Sequence, residues 1–477
     1  MSKKNQNYTN RKQNRFQPER MRGNVFVNNS GKQWLPGENG RAAKVERLLR
    51  GVKEKKKEIA GNMAGYKDSG IEYIGQVPKD WEVLRLKNIS NIYAAKEYLF
   101  GEWPVEKNGK PYSPFGEWSS GNEVIITGRV GTIGQYEMLE KNPKKKILIN
   151  DNRLLIRPFT EDYRKKALSH FLFWAMAIVN LNDIITGSAV PLITATSLLK
   201  KRVVIPPLPE QQRISDFLDT KCGILDRTID AVSRQIEDLE KYKKALIIKT
   251  VTKGICKKGE PERAMKDSGV EWIGEVPEEW SVKPFKALAG MKGSSEYTAR
   301  DIVDEGEGAI LLSPSNINDN KLNLSKRTYI SQKKYDKSTT KIQRGDLLFT
   351  KTASVGKCVI YDSDEPAMPN PQLVVLKNIK CLPKFLYYSM VSDVMQAPAK
   401  MYVYGSVIPT ISQLNLGRIK IPVPSPEEQQ QIADYLDEKC KNIDNRVKKR
   451  RQQLEWLKEY KKSLIFDYVT GKKRVEK

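Results

Sequence analysis

The residues that could do chemistry in this chain are few, and their spacing argues against most reactions. The single histidine, His170, stands before an apolar run, FLFWAMAIV. A Ser-His-Asp relay would have to rest on that one imidazole, and a packing or helix-end role suits it better. The five cysteines, Cys222, Cys256, Cys358, Cys381 and Cys440, are odd in number and form no CxxC pair, which speaks against a disulfide framework or a zinc site. Gly128, Gly131 and Gly134 give GxxGxxG rather than GxGxxG, and no GxxxxGK[ST] loop occurs, so neither a dinucleotide cradle nor an ATPase loop is supported. A methyltransferase acting on an exocyclic amine needs an Asn/Asp-Pro-Pro-aromatic loop, which Asn370-Pro371-Gln372 is not. The paired carboxylates Asp362 and Asp364 lie in a turn-like DSDEP stretch and suit a solvated loop. No catalytic residue, metal site or bound cofactor is assigned: the pattern is that of a reader rather than a reactor.

What such a reader would bind follows from charge. The chain has 477 residues, with 83 Lys+Arg against 57 Asp+Glu, a net charge of +26. That excess points to a polyanion, and nucleic acid is the favoured partner. The longest apolar stretch, Phe171 to Val179, is far short of the ~20 residues a membrane span needs. The opening MSKKNQNYTNRKQN has no apolar core of a signal peptide, so the expectation is a cytoplasmic protein with no membrane partner. A 39% hydrophobic content is enough for packed cores.

An internal repeat organises the elements. KDSGIEYIGQVPKDW (67–81) returns as KDSGVEWIGEVPEEW (266–280), with ten of fifteen positions identical. GSAVPLITATSLLKKRVVIP (187–206) aligns without gaps to GSVIPTISQLNLGRIKIPVP (405–424). The match continues through EQQRISDFLDTKC (210–222) and EQQQIADYLDEKC (428–440), and ends with KYKKALI (241–247) and EYKKSLI (459–465). Between these anchors the halves diverge. Echoes persist in TGRVGTIG (127–134) beside TKTASVGK (350–357), and in FLFWAM beside FLYYSM. Each half is a fixed frame around a variable middle.

The segment that closes each half is helical. Apolar residues fall at Leu218, Cys222, Leu225, Ile229, Val232, Ile236 and Leu239, a spacing of alternating four and three, which is a heptad seam. The second half repeats it at Leu436, Cys440, Ile443, Val447, Arg450, Leu454 and Leu457, broken only by Arg450. Pro-rich PPLP and PVPSP open the two helices. Neither seam can stay exposed, and the simplest solution packs one against the other. The variable middles hold short β-type runs (EVIITG, ILIND, RLLIRP, DLLFTK, KCVIYD, QLVVLKN) and one short helix each, Ser169 to Asn180 and Pro383 to Met395. They read as α+β modules. The first forty residues are polar and turn-rich, and Arg41 to Ala60 suits a basic helix.

The doubled set of KDSG-x-E-[YW]-IG-x-VP-x-x-W, GS-x-x-P-x-I, EQQ-x-I-x-x-[FY]-LD and YKK-[AS]-LI resembles the specificity (S, HsdS) subunits of Type I restriction-modification systems, from Tyr66 to about Lys472. The resemblance implies two pseudo-repeated target-recognition domains joined by two long helices in an antiparallel coiled coil. Residues 66–208 would be the first domain, 209–253 the first helix, 254–265 a linker, 266–425 the second domain and 426–472 the second helix. Residues 1–65 would be a basic, partly disordered extension: a true arm, an upstream start or an addition. It also implies that each domain reads half of a bipartite site on double-stranded DNA. Two methyltransferase subunits would bind S-adenosylmethionine and methylate adenine N6. Two restriction subunits would add ATP- and Mg-dependent cleavage. The specificity subunit itself would be non-catalytic. A stand-alone DNA-binding or architectural protein is the alternative.

Candidate contacts follow from that frame. Thr127 and Arg129, with Lys351 and Thr352, lie on the two Gly-containing turns, where a basic tip suits phosphate or guanine and a solvated turn is the plainer reading. Ser188 and Ser406 sit in the GS loops, and Lys144, Lys145 and Lys146 form a basic cluster; contact and simple solvation stand side by side for these too. Tyr242, Lys243 and Lys244, with Tyr460, Lys461 and Lys462, are surface candidates for docking a methyltransferase. Trp81 and Trp280 are expected in the core.

Overall fold

The computed structural model describes residues 65–94, 124–127, 134–138, 153–159, 167–187, 191–255, 259, 263–294 and 296–476. The basic extension, the strand expected at ILIND, Cys256, Arg129, Lys144, Lys145, Lys146 and Ser188 lie outside them. The chain divides into two compact units, one of residues 1–214 with 467–477 and one of residues 215–466.

The first unit opens on a hairpin of β1 (Tyr66–Asp68) and β2 (Gln76–Pro78), with Tyr66 opposite Pro78. The KDSG motif makes its loop. The Asp68 carboxylate accepts from the Gly70 amide at 2.9 Å, the Ser69 hydroxyl accepts from the Ile71 amide at 3.1 Å, and Gly70 takes φ +65°. Asx and Ser turns of this kind use side-chain oxygens to stand in for backbone acceptors. Next come β3 (Glu82–Arg85), β4 (Ser90–Ala94), β5 (Val124–Thr127), β6 (Tyr136–Met138), β7 (Arg153–Pro158), α1 (Ser169–Met176), α2 (Ala195–Leu199) and β8 (Arg202–Ile205). β3 pairs with β8, so the variable middle is pinched off between two strands of the repeated frame. The middle builds a sheet in the order β4-β7-β5-β6. Val124, Ile126, Leu154 and Ile156 are buried, as is Phe171 of α1. Tyr136 and Phe173 meet edge to face, centroids 5.3 Å apart.

From there the chain enters α3 (Leu208–Lys253, 46 residues), which starts in the first unit and runs into the second. The second unit repeats the plan. β9 (Met265–Asp267) and β10 (Glu275–Pro277) form the KDSG hairpin, with Met265 opposite Pro277. β11 (Ser281–Pro284), α4 (Phe285–Leu288) and β12 (Gly290–Lys292) follow. A block without a described counterpart in the first unit comes next: β13 (Ile302–Val303), β14 (Gly308–Leu312), β15 (Ile317–Asn318), β16 (Lys321–Leu322), β17 (Tyr329–Ser331) and α5 (Gln332–Lys337). Then come β18 (Leu347–Thr350), β19 (Cys358–Ile360), β20 (Ala367–Pro369), β21 (Leu373–Lys377), α6 (Pro383–Val391), α7 (Asp393–Met401), α8 (Gln413–Arg418), β22 (Lys420–Val423) and α9 (Pro426–Val469, 44 residues). β11 pairs with β22, and a sheet forms in the order β12-β21-β18-β19, the same order as in the first unit.

The continuous apolar runs of β18 and β21 have a plain cause. Leu347, Phe349, Val374 and Leu376 face a core with Leu386, Met390, Met395 and Leu416, while Leu348, Leu373 and Val375 face a second core shared with Ile310, Leu312 and Tyr329 of the additional sheet β13-β17-β14-β20. A strand buried on both faces cannot alternate apolar with polar. The helix expected over 383–395 is two helices. Ser392 adopts ψ 165°, and its hydroxyl donates to the Ser389 carbonyl at 2.8 Å, which ends α6 and re-aims the chain into α7. The helix expected over 169–180 ends at Met176.

Within the second unit the long helices run antiparallel. Asp226 accepts from Lys461 at 2.6 Å, Glu240 from Arg451 at 2.7 Å and Asp444 from Lys243 at 2.6 Å, so one helix index falls as the other rises. The expected seam lines this contact. Leu218, Cys222, Val232, Leu436, Cys440, Ile443, Val447 and Leu457 are buried, and Leu225, Ile229, Ile236, Leu239 and Leu454 are half-buried. Arg450 turns outward and donates to Gln453 at 2.7 Å. The four described cysteines are free thiols.

Candidate nucleic-acid interface

The repeated frame explains the EQQ motif, whose role sequence reasoning did not identify. In the first unit the Trp81 indole N–H donates to Glu210 Oε2 at 3.0 Å; in the second the Trp280 indole N–H donates to Glu428 Oε2 at 2.9 Å. Gln211 donates to the Pro206 carbonyl at 2.8 Å and accepts from the Leu168 amide at 2.8 Å. Gln429 does the same with the Pro424 carbonyl at 3.0 Å and the Leu382 amide at 2.8 Å. Leu168 and Leu382 stand immediately before α1 and α6, so each glutamine fastens the start of a long helix to the start of the module helix. Two cations complete the set. Arg263 pairs with Glu428 at 2.6 Å and also with Glu279, and Arg474 pairs with Asp80 at 2.6 Å. The partners hold the Arg263 guanidinium in its charged form, its pKa raised by the Glu428 hydrogen bond against desolvation by burial. The signal that could have located this network was the recurrence of E-Q beside a recurring tryptophan.

On this frame the candidate turns are held alike. The Thr127 amide donates to the Gln135 carbonyl at 2.8 Å and the Gly134 amide to the Thr127 carbonyl at 2.9 Å. In the second unit the Thr350 amide donates to Lys357 at 2.9 Å and the Gly356 amide to Thr350 at 3.0 Å. The faint echo between 127–134 and 350–357 thus marks equivalent closing bonds in the two units. Thr127 is half-buried at the end of β5, and Arg129 falls in the part of its turn outside the described residues.

In the second unit the turn meets the GS loop. Residues Tyr404 to Thr410 form a hairpin closed by amide–carbonyl bonds of 2.9 and 2.8 Å. The Ile411 amide donates to the Lys351 carbonyl at 2.8 Å, the Ala353 amide to the Pro409 carbonyl at 2.8 Å, and the Thr352 and Thr410 hydroxyl oxygens lie 3.5 Å apart. Three of the expected residues, Lys351, Thr352 and Ser406, are therefore brought onto one platform. Lys351 and Thr352 are half-buried and Ser406 is exposed. Ala353 adopts φ +64°, a conformation uncommon outside glycine and Asn/Asp. In the first unit Thr186 and Leu192 make the equivalent pair of amide–carbonyl bonds, 2.9 and 2.8 Å.

The proposed docking residues divide. Lys243 and Lys461 are engaged with Asp444 and Asp226, twofold-equivalent pairs across the helices. Tyr242, Lys244, Tyr460 and Lys462 are exposed. Tyr460 stacks on Trp456 with centroids 5.4 Å apart and planes 4° from parallel, and Lys462 pairs with Glu459 on its own helix at 2.8 Å. Among the described residues there is no group of His, Cys, Asp and Glu that could hold a metal ion, and no helix is long and apolar enough to cross a membrane.

Two α+β modules of like topology, with unlike middles on like frames, and an antiparallel helix pair within the second unit define a duplicated recognition scaffold. The chain belongs to the family of Type I restriction modification DNA specificity domains, whose model matches it twice, at residues 78–241 and 277–455. It is similar to the Type I restriction enzyme MjaVIII specificity subunit of Methanocaldococcus jannaschii, 24% identical over 84% of this chain and 95% of the relative. The putative MjaX specificity subunit of the same organism is 27% identical over 84% of this chain and 96% of the relative. A solved structure from work on assembly and conformational transition of the type I R-M system has a TM-score of 0.58 at 16% identity, covering 83% of this chain and 99% of that one, and shares the fold.

Proposed function

We propose that this chain is the DNA-recognition subunit of a Type I restriction-modification complex, each module reading one half of a bipartite target. The observation that carries this is the pairing of repeated frames with diverged middles. Two unlike half-sites need two unlike reading surfaces, and identical partner enzymes need two like attachments. The 46- and 44-residue helices are about 69 and 66 Å long at 1.5 Å per residue, close to two turns of duplex at ~34 Å each, which suits a ruler for an unread spacer. The excess positive charge supplies phosphate binding, and sequence choice rests on a few polar side chains reaching base edges. In this reading the chain is non-catalytic and binds no cofactor. Two methyltransferase subunits use S-adenosylmethionine to methylate adenine N6, and two restriction subunits add ATP- and Mg-dependent cleavage.

Long-read methylation sequencing of DNA from cells expressing this chain with its cognate methyltransferase tests the reading. Adenine marks in a single bipartite motif, lost when this chain is omitted, are the expected result. A soluble complex that leaves no motif would overturn it and favour an orphan DNA binder.

A further inference from the structure

The tip of the second module's GS hairpin is apolar and exposed. Val407 is 89% exposed, Ile408 58% and Tyr404 58%. The tip is no loose loop: Gly405 adopts φ +90°, and a Cβ there would lie 2.6 Å from the Ile408 carbonyl oxygen, so the tight turn requires glycine. Behind it stands the platform of Lys351, Thr352 and Ala353. A rigid mount that presents bare aliphatic side chains gains nothing for folding, since exposed apolar area is not removed from water.

The charge of the chain segments that carry the tip says what it meets. No Asp or Glu occurs from Val394 to Pro426 or from Leu347 to Tyr361, whereas Lys351, Lys357, Lys400, Arg418 and Lys420 do. The first module repeats the design in sequence: Gly187-Ser-Ala-Val-Pro191 inside an acid-free run from Ile184 to Pro209, closed by the same Thr186–Leu192 bridge. An apolar tip carried on chain segments that are basic and free of carboxylates, with Lys351 on the platform behind it, suits the inside of a nucleic-acid groove.

The recurrence says what the tip does there. Aliphatic side chains carry no donors or acceptors with which to read base edges, and the GS-x-x-P sequence recurs in two modules whose middles differ. It therefore serves what the two half-sites have in common, the stacked duplex itself. Small apolar side chains inserted at a base step unstack it, and an enzyme that modifies a base must take that base out of the stack. We propose that the Gly405–Pro409 hairpin is an apolar wedge that enters the base stack at its half-site and opens it for the methyltransferase. This rests on the function proposed above.

The test uses the full chain in complex with its methyltransferase and the motif that the wild-type complex marks. Val407→Ser with Ile408→Ser changes only exposed side chains. Dissociation constants are measured on a matched duplex and on one with a mismatch at the methylated adenine, where the stack is already loosened. The wedge predicts about tenfold or more lost on the matched duplex, tenfold being ~1.4 kcal/mol, less than about threefold lost on the mismatched one, and an unchanged motif. Equal losses on both duplexes would overturn it, as would an altered motif, which would make the tip a base reader. Loss of co-elution with the methyltransferase would overturn it in favour of a protein contact. If the wild-type complex itself marks no bipartite motif, the recognition function fails and takes the wedge with it.

Discussion

Gln429 and Gln430 are adjacent and alike in sequence, yet their surroundings differ. Gln429 is 4% exposed and satisfies two backbone groups, whereas Gln430 is exposed and bonds Asp434 one turn on. Gln429→Ala orphans the Pro424 carbonyl and the Leu382 amide, at ~1–3 kcal/mol for each buried unsatisfied group. Its urea midpoint should fall clearly, while Gln430→Ala should stay within about 0.5 kcal/mol of wild type. The cysteines give a second residue-scale expectation. Burial pushes the Cys222 thiol and the Cys440 thiol each up to about 11. At pH 8 on the order of one in a thousand would be thiolate, the reactive form. In a Cys256→Ser chain, native Ellman titration at pH 8 should be slow at both and become complete only on unfolding; fast native labelling would contradict their place in the seam.

At the scale of elements, the helix pair depends on a seam and on ion pairs that flank it. Arg450 is the polar interruption of the apolar series. Arg450→Leu restores the heptad and should raise the thermal midpoint, by on the order of 1 kcal/mol of stability; an unchanged or lowered midpoint would show that the outward rotamer has no apolar partner to gain. The pair Lys243–Asp444 adds a pH dependence. Burial pushes the Asp444 carboxyl up, but hydrogen bonding to the Lys243 ammonium, with Lys321 behind it, outweighs burial and holds it below its ordinary value. A carboxyl depressed in the folded state stabilises fully above its unfolded value of ~3.9, and that stabilisation is lost as pH falls through the lower folded value. Asp444→Asn should therefore lower stability at neutral pH, where the ionised pair contributes fully, and flatten the acid limb of the stability curve below about pH 4, read by helical circular dichroism.

For the whole molecule, charge dominates. A net +26 makes binding to any duplex salt-dependent, and six to ten phosphate contacts imply a loss of about 10³–10⁵ in affinity between ~50 and ~200 mM salt. Lys351→Ala, on the hairpin platform, should weaken specific and random DNA alike and lower that salt slope by about one if the ammonium meets phosphate. A loss confined to one half-site would instead make it a base contact. Fluorescence anisotropy at several salt concentrations separates the two.

The sequence by itself determined the duplication, the basic partner preference, the heptad seams and the α+β middles, because each is written in local period or in recurrence. Residue periods of two and of alternating three and four need no tertiary information. It also placed Thr127 beside Thr350 through a weak echo that marks equivalent closing bonds. Other features needed the fold. That Gln211 and Gln429 bridge two helix starts depends on residues 43 and 47 positions away. That Ser392 breaks a helix depends on where its hydroxyl finds an acceptor. That Lys351, Thr352 and Ser406 share a platform depends on a bridge between Thr352 and Thr410 across 58 residues. Such pairings are set by which buried donors and acceptors can be satisfied once the sheets are packed, and no local pattern encodes them.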